Sequence, residues 1–473
     1  MTAFNNTPTS RRNLLALATA AIAVGMVPML SRSGDDHHDD HDEGGKFSAG
    51  QNTTVAAANT GLSGNIVVVG GGMAGATVAK YLRLWGGSGL TITLVEPSTS
   101  YTSNIMSNLV LNGSRTVSSL AYGYTGLASK YGIAVKQAAV TAINKAAKSV
   151  TLSDGSTLSY DRLVLAPGVD FMDAYGLTQA DYDSKTPHAW RAGAQTTLLS
   201  TQLAAMPANG TFVMTIPKSP YRCPPGPYER ASLVADFLKT NKGAGSKVLV
   251  LDENLSIQAE VASFTYAFNT LHAGVIQYES GVTNVHINPD TKAVTYTDQV
   301  GTITTVSANV VNPIVPHRAS GSAPGGWLAV AGLNNSPDGR WAVVDVLSYQ
   351  STAANASGIH VIGDAANCGM PKAGHVANQE AKICADAIVR LLGGQQPDPG
   401  PVANSACYSP LTASTASWLT AVYQYDSANQ KMVVADNGGR TVGAKVTEAS
   451  NHNTENFKQM NTWFNTLMGD SFS

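Results

Sequence analysis

From Asn65 onward, short apolar runs alternate with longer stretches whose apolar residues return at helical spacing. The run "NIVVV" predicts a strand, "GGG" a turn and "MAGATVAKYLRLW" a helix, and "TITLVE" then predicts a second strand. The same cadence returns in "TFVMTI", "YERASLVADFLK" and "KVLVLDEN", and a third time in "GIHVIGDAANCGMPKAGHVANQEAKICADAIVRLL", where the helix is expected to begin near Lys372 to Gly374. Strand, turn and helix repeated in this order predict an α/β chain.

The first turn carries chemistry. Gly70, Gly72 and Gly75 form a GxGxxG pattern around Met73 and Ala74, between a strand and a helix. Gly70 permits the tight turn, Gly72 lets backbone N–H groups approach a pyrophosphate, and Gly75 lets the helix pack close to the strand. Glu96 closes the next strand, where an acid accepts hydrogen bonds from a ribose hydroxyl. Together these predict a dinucleotide site. "YDRLVLAPGV" ends a strand in the small residues Ala166, Pro167 and Gly168, and Gly363-Asp364 precedes the late helix. That order resembles the FAD-binding half of two-dinucleotide-domain flavoproteins, in which the late aspartate holds the ribityl chain and the helix start faces the pyrimidine end of the flavin.

The middle unit reads differently. Its phosphate loop is replaced by "PKSPYRCPPGP", with five prolines between Pro217 and Pro227 and one glycine. Proline offers no N–H to a phosphate and its ring blocks close approach, so this unit is expected not to bind NAD(P)H. The chain is therefore read as α/β with two Rossmann-like dinucleotide-binding domains, the second degenerate, plus a C-terminal interface domain. The expected bounds are 62–188 and 312–400 for the two parts of the FAD domain, 189–311 for the degenerate domain and 401–473 for the last.

Composition narrows the function. The 473 residues are 43% hydrophobic and 13% charged with a formal net charge of -2, which describes a globular protein with no electrostatic reason to bind nucleic acid. Residues 1–58 read as a leader and linker. Arg11 and Arg12 precede a weakly apolar run from Leu14 to Leu30, the pattern of a twin-arginine export signal, with "VAAA" at Val55 to Ala58 as the nearest cleavage candidate. This predicts a periplasmic protein; an uncut membrane anchor is the other reading. "DDHHDDHDE", Asp35 to Glu43, is read as a solvated acidic linker, and no metal site is expected.

"YRCPPGPYERAS", "PHAW" at Pro187 to Trp190, "MPKAGHVAN" and the terminal "WFNTLMGDSF" resemble the flavoprotein subunit of flavocytochrome c sulfide dehydrogenase, a relative of sulfide:quinone oxidoreductases. The resemblance implies an FAD subunit that oxidises sulfide and passes electrons to a separate c-type cytochrome. The chain has no C-x-x-C-H of its own, so a haem would sit on a partner. In that family two cysteines over the flavin carry the chemistry, and Cys223 matches the first. Arg222 beside it and the following helix N-terminus are expected to favour its thiolate. Glu229 matches a position that moves protons, although a first-turn acid that merely complements the helix dipole is an equal reading.

Two departures from the family stand out. Ala342, in "DGRWAVVDV", occupies the place of the second redox cysteine, and Asn104 occupies that of the flavin-linking cysteine, so FAD is expected to bind noncovalently. Cys368, four residues past Asp364, is read either as the replacement partner for Cys223 or as an unpaired thiol in a cofactor loop. Cys384 is read as a core residue of the late helix, and Cys407 as a buried or spare thiol. Val140 and Lys372 complete the expected cofactor wall. Two alternatives follow from the missing thiol: the same fold acting on a different substrate, or a non-catalytic flavin-binding electron relay.

Overall fold

The structure, a computed structural model, describes residues 54–435 and 446–473; the paired arginines and the acidic linker lie outside the described residues. Strand β1 (Gly64–Val69), helix α1 (Met73–Gly86) and strand β2 (Leu90–Val95) form the first βαβ unit, with β1 and β2 paired in parallel from Gly64 opposite Leu90 to Val69 opposite Val95. Strand β3 (Ala134–Lys136) extends this sheet beyond β2, and β4 (Arg162–Leu165) pairs with the other edge of β1.

The chain then leaves the first sheet. Helix α2 (Ala194–Ala205) leads into β5 (Thr211–Ile216), α3 (Gly226–Asn241), β6 (Lys247–Asp252), β7 (Ile276–Ser280) and β8 (Val310–Pro313). These strands make a second parallel sheet in the order β7-β6-β5-β8. β5 and β6 read as nearly continuous apolar runs because helices and loops cover both faces of a parallel sheet. The chain returns through β9 (Ile359–Val361), which pairs with β4 and completes the first sheet in the order β9-β4-β1-β2-β3.

Helix α4 (Gly374–Leu392) follows and packs along α1, where a side chain at Gly86 would collide with Leu90 and press on Val389. The last part is an antiparallel meander of β10 (Val402–Pro410), β11 (Ala416–Asp426) and β12 (Lys431–Val434), then helix α5 (Thr454–Phe472). Asn453 caps α5 by accepting a hydrogen bond from the Asn456 N–H at 2.7 Å. Met460, Phe464, Leu467 and Met468 bury one face, and Phe472 stacks on Tyr101 at 5.3 Å. The C-terminal part is thereby seated on the first dinucleotide domain, and the fold is two Rossmann-like domains plus a distinct third part.

Candidate functional site

A cavity of about 560 Å³ opens at the carboxyl ends of β1, β4 and β9, where the turns leading into α1 and α4 meet. Gly70 sits at φ +97°, and a Cβ there would lie 2.2 Å from the Ala166 carbonyl oxygen. Gly75 holds the turn from behind: its Cβ would fall 1.7 Å from the Gly70 oxygen, so only glycine lets α1 start this close to β1. Gly72 meets nothing nearer than the Tyr101 ring at 3.7 Å, and Gly168, at φ +70°, has open space beside it. The Glu96 carboxylate is fixed at the rim by the N–H groups of Gly71, at 2.7 Å, and Ser98, at 2.9 Å.

Met73, Ala74, Val140, Ala166, Pro167, Gly363 and Asp364 complete this wall, and Asn104 reaches it while accepting from the Ala192 N–H at 2.8 Å. A glycine cradle, an acid fixed at the rim and a helix start at Gly374 fit an extended dinucleotide. Two expected members stand elsewhere. Gly75 packs behind the turn, as its reading required. The Lys372 ammonium is turned away from the cavity, donating to the carbonyls of Asp364 and Ala366 at 2.8 and 2.7 Å, 3.8 Å from the Trp341 ring centre. It braces the Gly363-Asp364 loop, because those carbonyls and the ring solvate a charge that burial disfavours.

The proline loop supplies another wall. Cys223 has φ +59°; its N–H donates to the Lys372 carbonyl at 2.7 Å, and its carbonyl accepts from the Gly226 N–H at 3.0 Å. A Cβ on Gly226 would lie 2.8 Å from the Cys223 Sγ and 2.9 Å from the Trp190 ring, so thiol and indole fill the space where a phosphate loop would be open. The expectation of a thiolate is corrected here. Burial pushes the Cys223 thiol up to about 12, Glu229 adds to this, and the opposing pull of Arg222 is smaller than the desolvation.

Glu229 is no dipole-complementing surface acid. It is 9% exposed, its Oε1 accepts from Asn108 Nδ2 at 2.8 Å, and burial raises it to about 8, so it is a neutral acid at pH 7. Arg230 holds Asn108 from the other side at 2.8 Å and donates to the carbonyls of His188 and Ala189.

Of the remaining cysteines, Cys384 is placed as read and Cys407 is not. All four are free thiols. Cys368 points into the core, donating to Glu380 Oε1 at 3.0 Å, while Glu380 Oε2 accepts from the Gly363 N–H. It does not line the cavity, so the structure does not bring it to Cys223. Cys384 is fully buried on α4, as read. Cys407, read as a buried or spare thiol, lines the same cavity as Cys223, and after burial the largest influence raising its thiol is Cys223 itself. Ala342 is fully buried opposite Ala366.

Sequence reasoning also missed Ser409 and Glu260. Ser409 lines the cavity and donates to Glu260 Oε1 at 2.6 Å. No local pattern marks Cys407, Ser409 or Glu260; they meet only because β10 lies against α3 and α4, with the Ala406 N–H donating to His375 Nδ1 at 3.0 Å.

Three family models match. Residues 64–200 match the pyridine nucleotide-disulphide oxidoreductases, 196–316 the central part of the sulfide dehydrogenase [flavocytochrome c] flavoprotein chain, and 399–472 the flavin-binding part of flavocytochrome c sulphide dehydrogenase. The sulfide dehydrogenase [flavocytochrome c] flavoprotein chain of Chlorobaculum thiosulfatiphilum is 51% identical over 45 residues, 10% of this chain and 92% of that sequence. Putidaredoxin reductase of Pseudomonas putida is 40% identical over 112 residues, 22% of this chain; the chain spans about a quarter of the length of this and similar curated reductases, 25% in its case. The crystal structure of sulfide:quinone oxidoreductase from Aquifex aeolicus superposes with a TM-score of 0.67 over 86% of this chain and 92% of that one, at 19% identity, a likeness of fold. With its central and C-terminal parts matched and its fold shared, the chain belongs to the family of flavocytochrome c sulfide dehydrogenase flavoprotein subunits, related to the sulfide:quinone oxidoreductases.

Proposed function

We propose that this chain is an exported, periplasmic FAD-dependent oxidoreductase that oxidises sulfide or a related small sulfur compound and passes the electrons to a c-type cytochrome. The observation that carries the reading is the meeting of two thiols, Cys223 and Cys407, and the neutral acid Glu229 on the walls of the dinucleotide cavity. Gly70 and Gly72, with the start of α1, would hold the FAD pyrophosphate, Glu96 a ribose, Asp364 the ribityl chain, and Gly374 at the start of α4 the pyrimidine end of the ring. FAD, when bound, supplies a two-electron acceptor that hands electrons on singly. Asn104 at the rim gives the ring no sulfur to bond, which supports noncovalent binding. The filled loop around Cys223 supports electron exit to a protein carrier in place of nicotinamide.

The residues divide the work. Cys223 and Cys407 both line the cavity, and desolvation keeps both protonated at rest. Glu229, raised to about 8, exchanges a proton with an incoming hydrosulfide or thiol near neutral pH. Each hydrosulfide oxidised to zero-valent sulfur gives up a proton and an electron pair. The electrons leave to two one-electron carriers, so the proton must leave the pocket too. The test is anaerobic titration of the purified FAD-loaded protein with sodium sulfide, followed by addition of oxidised cytochrome c. Bleaching of the flavin and then reduction of the cytochrome are expected; a flavin spectrum indifferent to sulfide overturns the reading. Acid precipitation should release the flavin into the supernatant.

A further inference from the structure

Behind the cavity wall formed by Cys407 and Ser409 lies a row of hydroxyl and carboxyl groups, and we infer that Ser409, Glu260, Ser417 and Ser263 form a proton path from the thiol cavity to the protein surface. Ser409 opens on the cavity and donates to Glu260 Oε1 at 2.6 Å. Glu260 is 1% exposed, and its Oε2 has no hydrogen-bond partner. The fully buried Ser417 hydroxyl faces the same carboxyl group. Ser417 and Ser263 share a hydrogen bond of 2.7 Å, and Ser263 is only half-buried. Its backbone N–H donates to Glu448, a half-buried carboxylate. The row therefore begins at the cavity that the two thiols line and ends at a partly exposed hydroxyl.

A buried carboxyl with one unpartnered oxygen is costly unless that oxygen carries a proton. The groups facing Glu260 are the carboxyls of Glu229 and Glu448 and the thiols of Cys223 and Cys407, and every one of them raises the cost of ionising it or is itself raised by it. Burial and these neighbours place Glu260 at about 8, where it both accepts and releases a proton near neutral pH. A serine hydroxyl donates one hydrogen bond while accepting another. When the Ser417 hydroxyl turns to Glu260, protonated Glu260 passes its proton to the Ser417 oxygen, Ser417 passes its own to Ser263, Ser263 releases its own to water, and the Ser409 proton moves to Glu260 Oε1 as Ser409 takes one from the cavity. One proton crosses, every group keeps its count, and rotation of the hydroxyls resets the row. Glu260 touches neither substrate nor flavin on this account; it is a proton-carrying residue behind them.

That the moving proton comes from sulfur oxidation rests on the proposed function, so the test is chosen to work without sulfide. The FAD-loaded protein is photoreduced with a sacrificial electron donor in weakly buffered solution containing a pH-indicator dye, and proton exchange is timed in H2O and D2O. Glu260→Gln and Ser417→Ala are expected to slow proton exchange about tenfold or more and to enlarge the isotope effect, with Glu260→Asp in between. An infrared pH titration of the same holoprotein should show buried carboxylic-acid absorption that ionises near pH 8, with the share of one carboxyl lost in Glu260→Gln while the share of Glu229 remains. Ser417→Ala, which removes one oxygen, carries the test if Glu260→Gln does not fold. Unchanged proton exchange in both variants, or no such loss of absorption, overturns the path. Slowed exchange in a protein that sulfide fails to bleach keeps the path and removes the sulfide reading; bleaching with unchanged exchange does the reverse.

Discussion

The Cys223 N–H donates to the Lys372 carbonyl at 2.7 Å, which ties the thiol loop of the inserted domain to the segment that opens helix α4 in the flavin domain. The thiol is thus held by backbone, in a left-handed conformation at φ +59°, and not by side-chain packing alone. A sulfur fixed this way at a cofactor wall is pre-positioned before any substrate arrives.

The desolvation of that sulfur has a measurable result. With Cys223 pushed up to about 12, its alkylation by iodoacetamide under anaerobic, reducing conditions should rise about tenfold per pH unit between pH 8 and 11. Peptide mass mapping of quenched samples follows each thiol separately, and Cys368 and Cys384 should stay unmodified without denaturant because both are buried. A Cys223 rate that levels off below pH 9 would show that Arg222 outweighs burial.

Stability should depend on pH through the two buried acids. Glu229 and Glu260 are both raised from 4.5 to about 8 by burial, so the folded state binds more protons than the unfolded chain between those values. Their contribution is therefore fully present below about pH 4.5 and is lost as the pH rises through about 8. The melting temperature is expected to fall from pH 6 to pH 8.5, and Glu229→Gln, which keeps the shape without a titrating proton, should flatten that fall. An equally steep fall in Glu229→Gln would assign the pH dependence to other groups.

The two kinds of glycine in the first turn should separate by energy. Gly75→Ala drives a methyl into the Gly70 carbonyl and should cost about 3 kcal/mol or more. Gly168→Ala, with open space but φ +70°, bears only backbone strain and should cost about 1 kcal/mol. Urea denaturation of the two variants checks the ranking, and a reversed order would mean that the β1–α1 turn relaxes around an added methyl.

What the sequence by itself determined is local. The GxGxxG turn, Glu96 at the end of β2, the small-residue turn after β4 and Gly363-Asp364 before α4 were all legible, because each is demanded by backbone approach within a few residues of its own strand. The degenerate middle domain was equally legible in its prolines, since a missing N–H is a property of the residue type.

The partnership of the thiols was decided by tertiary structure alone. Cys368 looked well placed because it follows the Gly363-Asp364 turn, yet its side chain is buried and donates to Glu380. Cys407 comes from a different part of the chain, and only the seating of β10 against α3 and α4 brings it to the cavity of Cys223. The charge states were likewise set by the fold: Arg222 beside Cys223 promised a thiolate, but desolvation grows with everything packed around the sulfur, and that sum cannot be read from its neighbours in sequence.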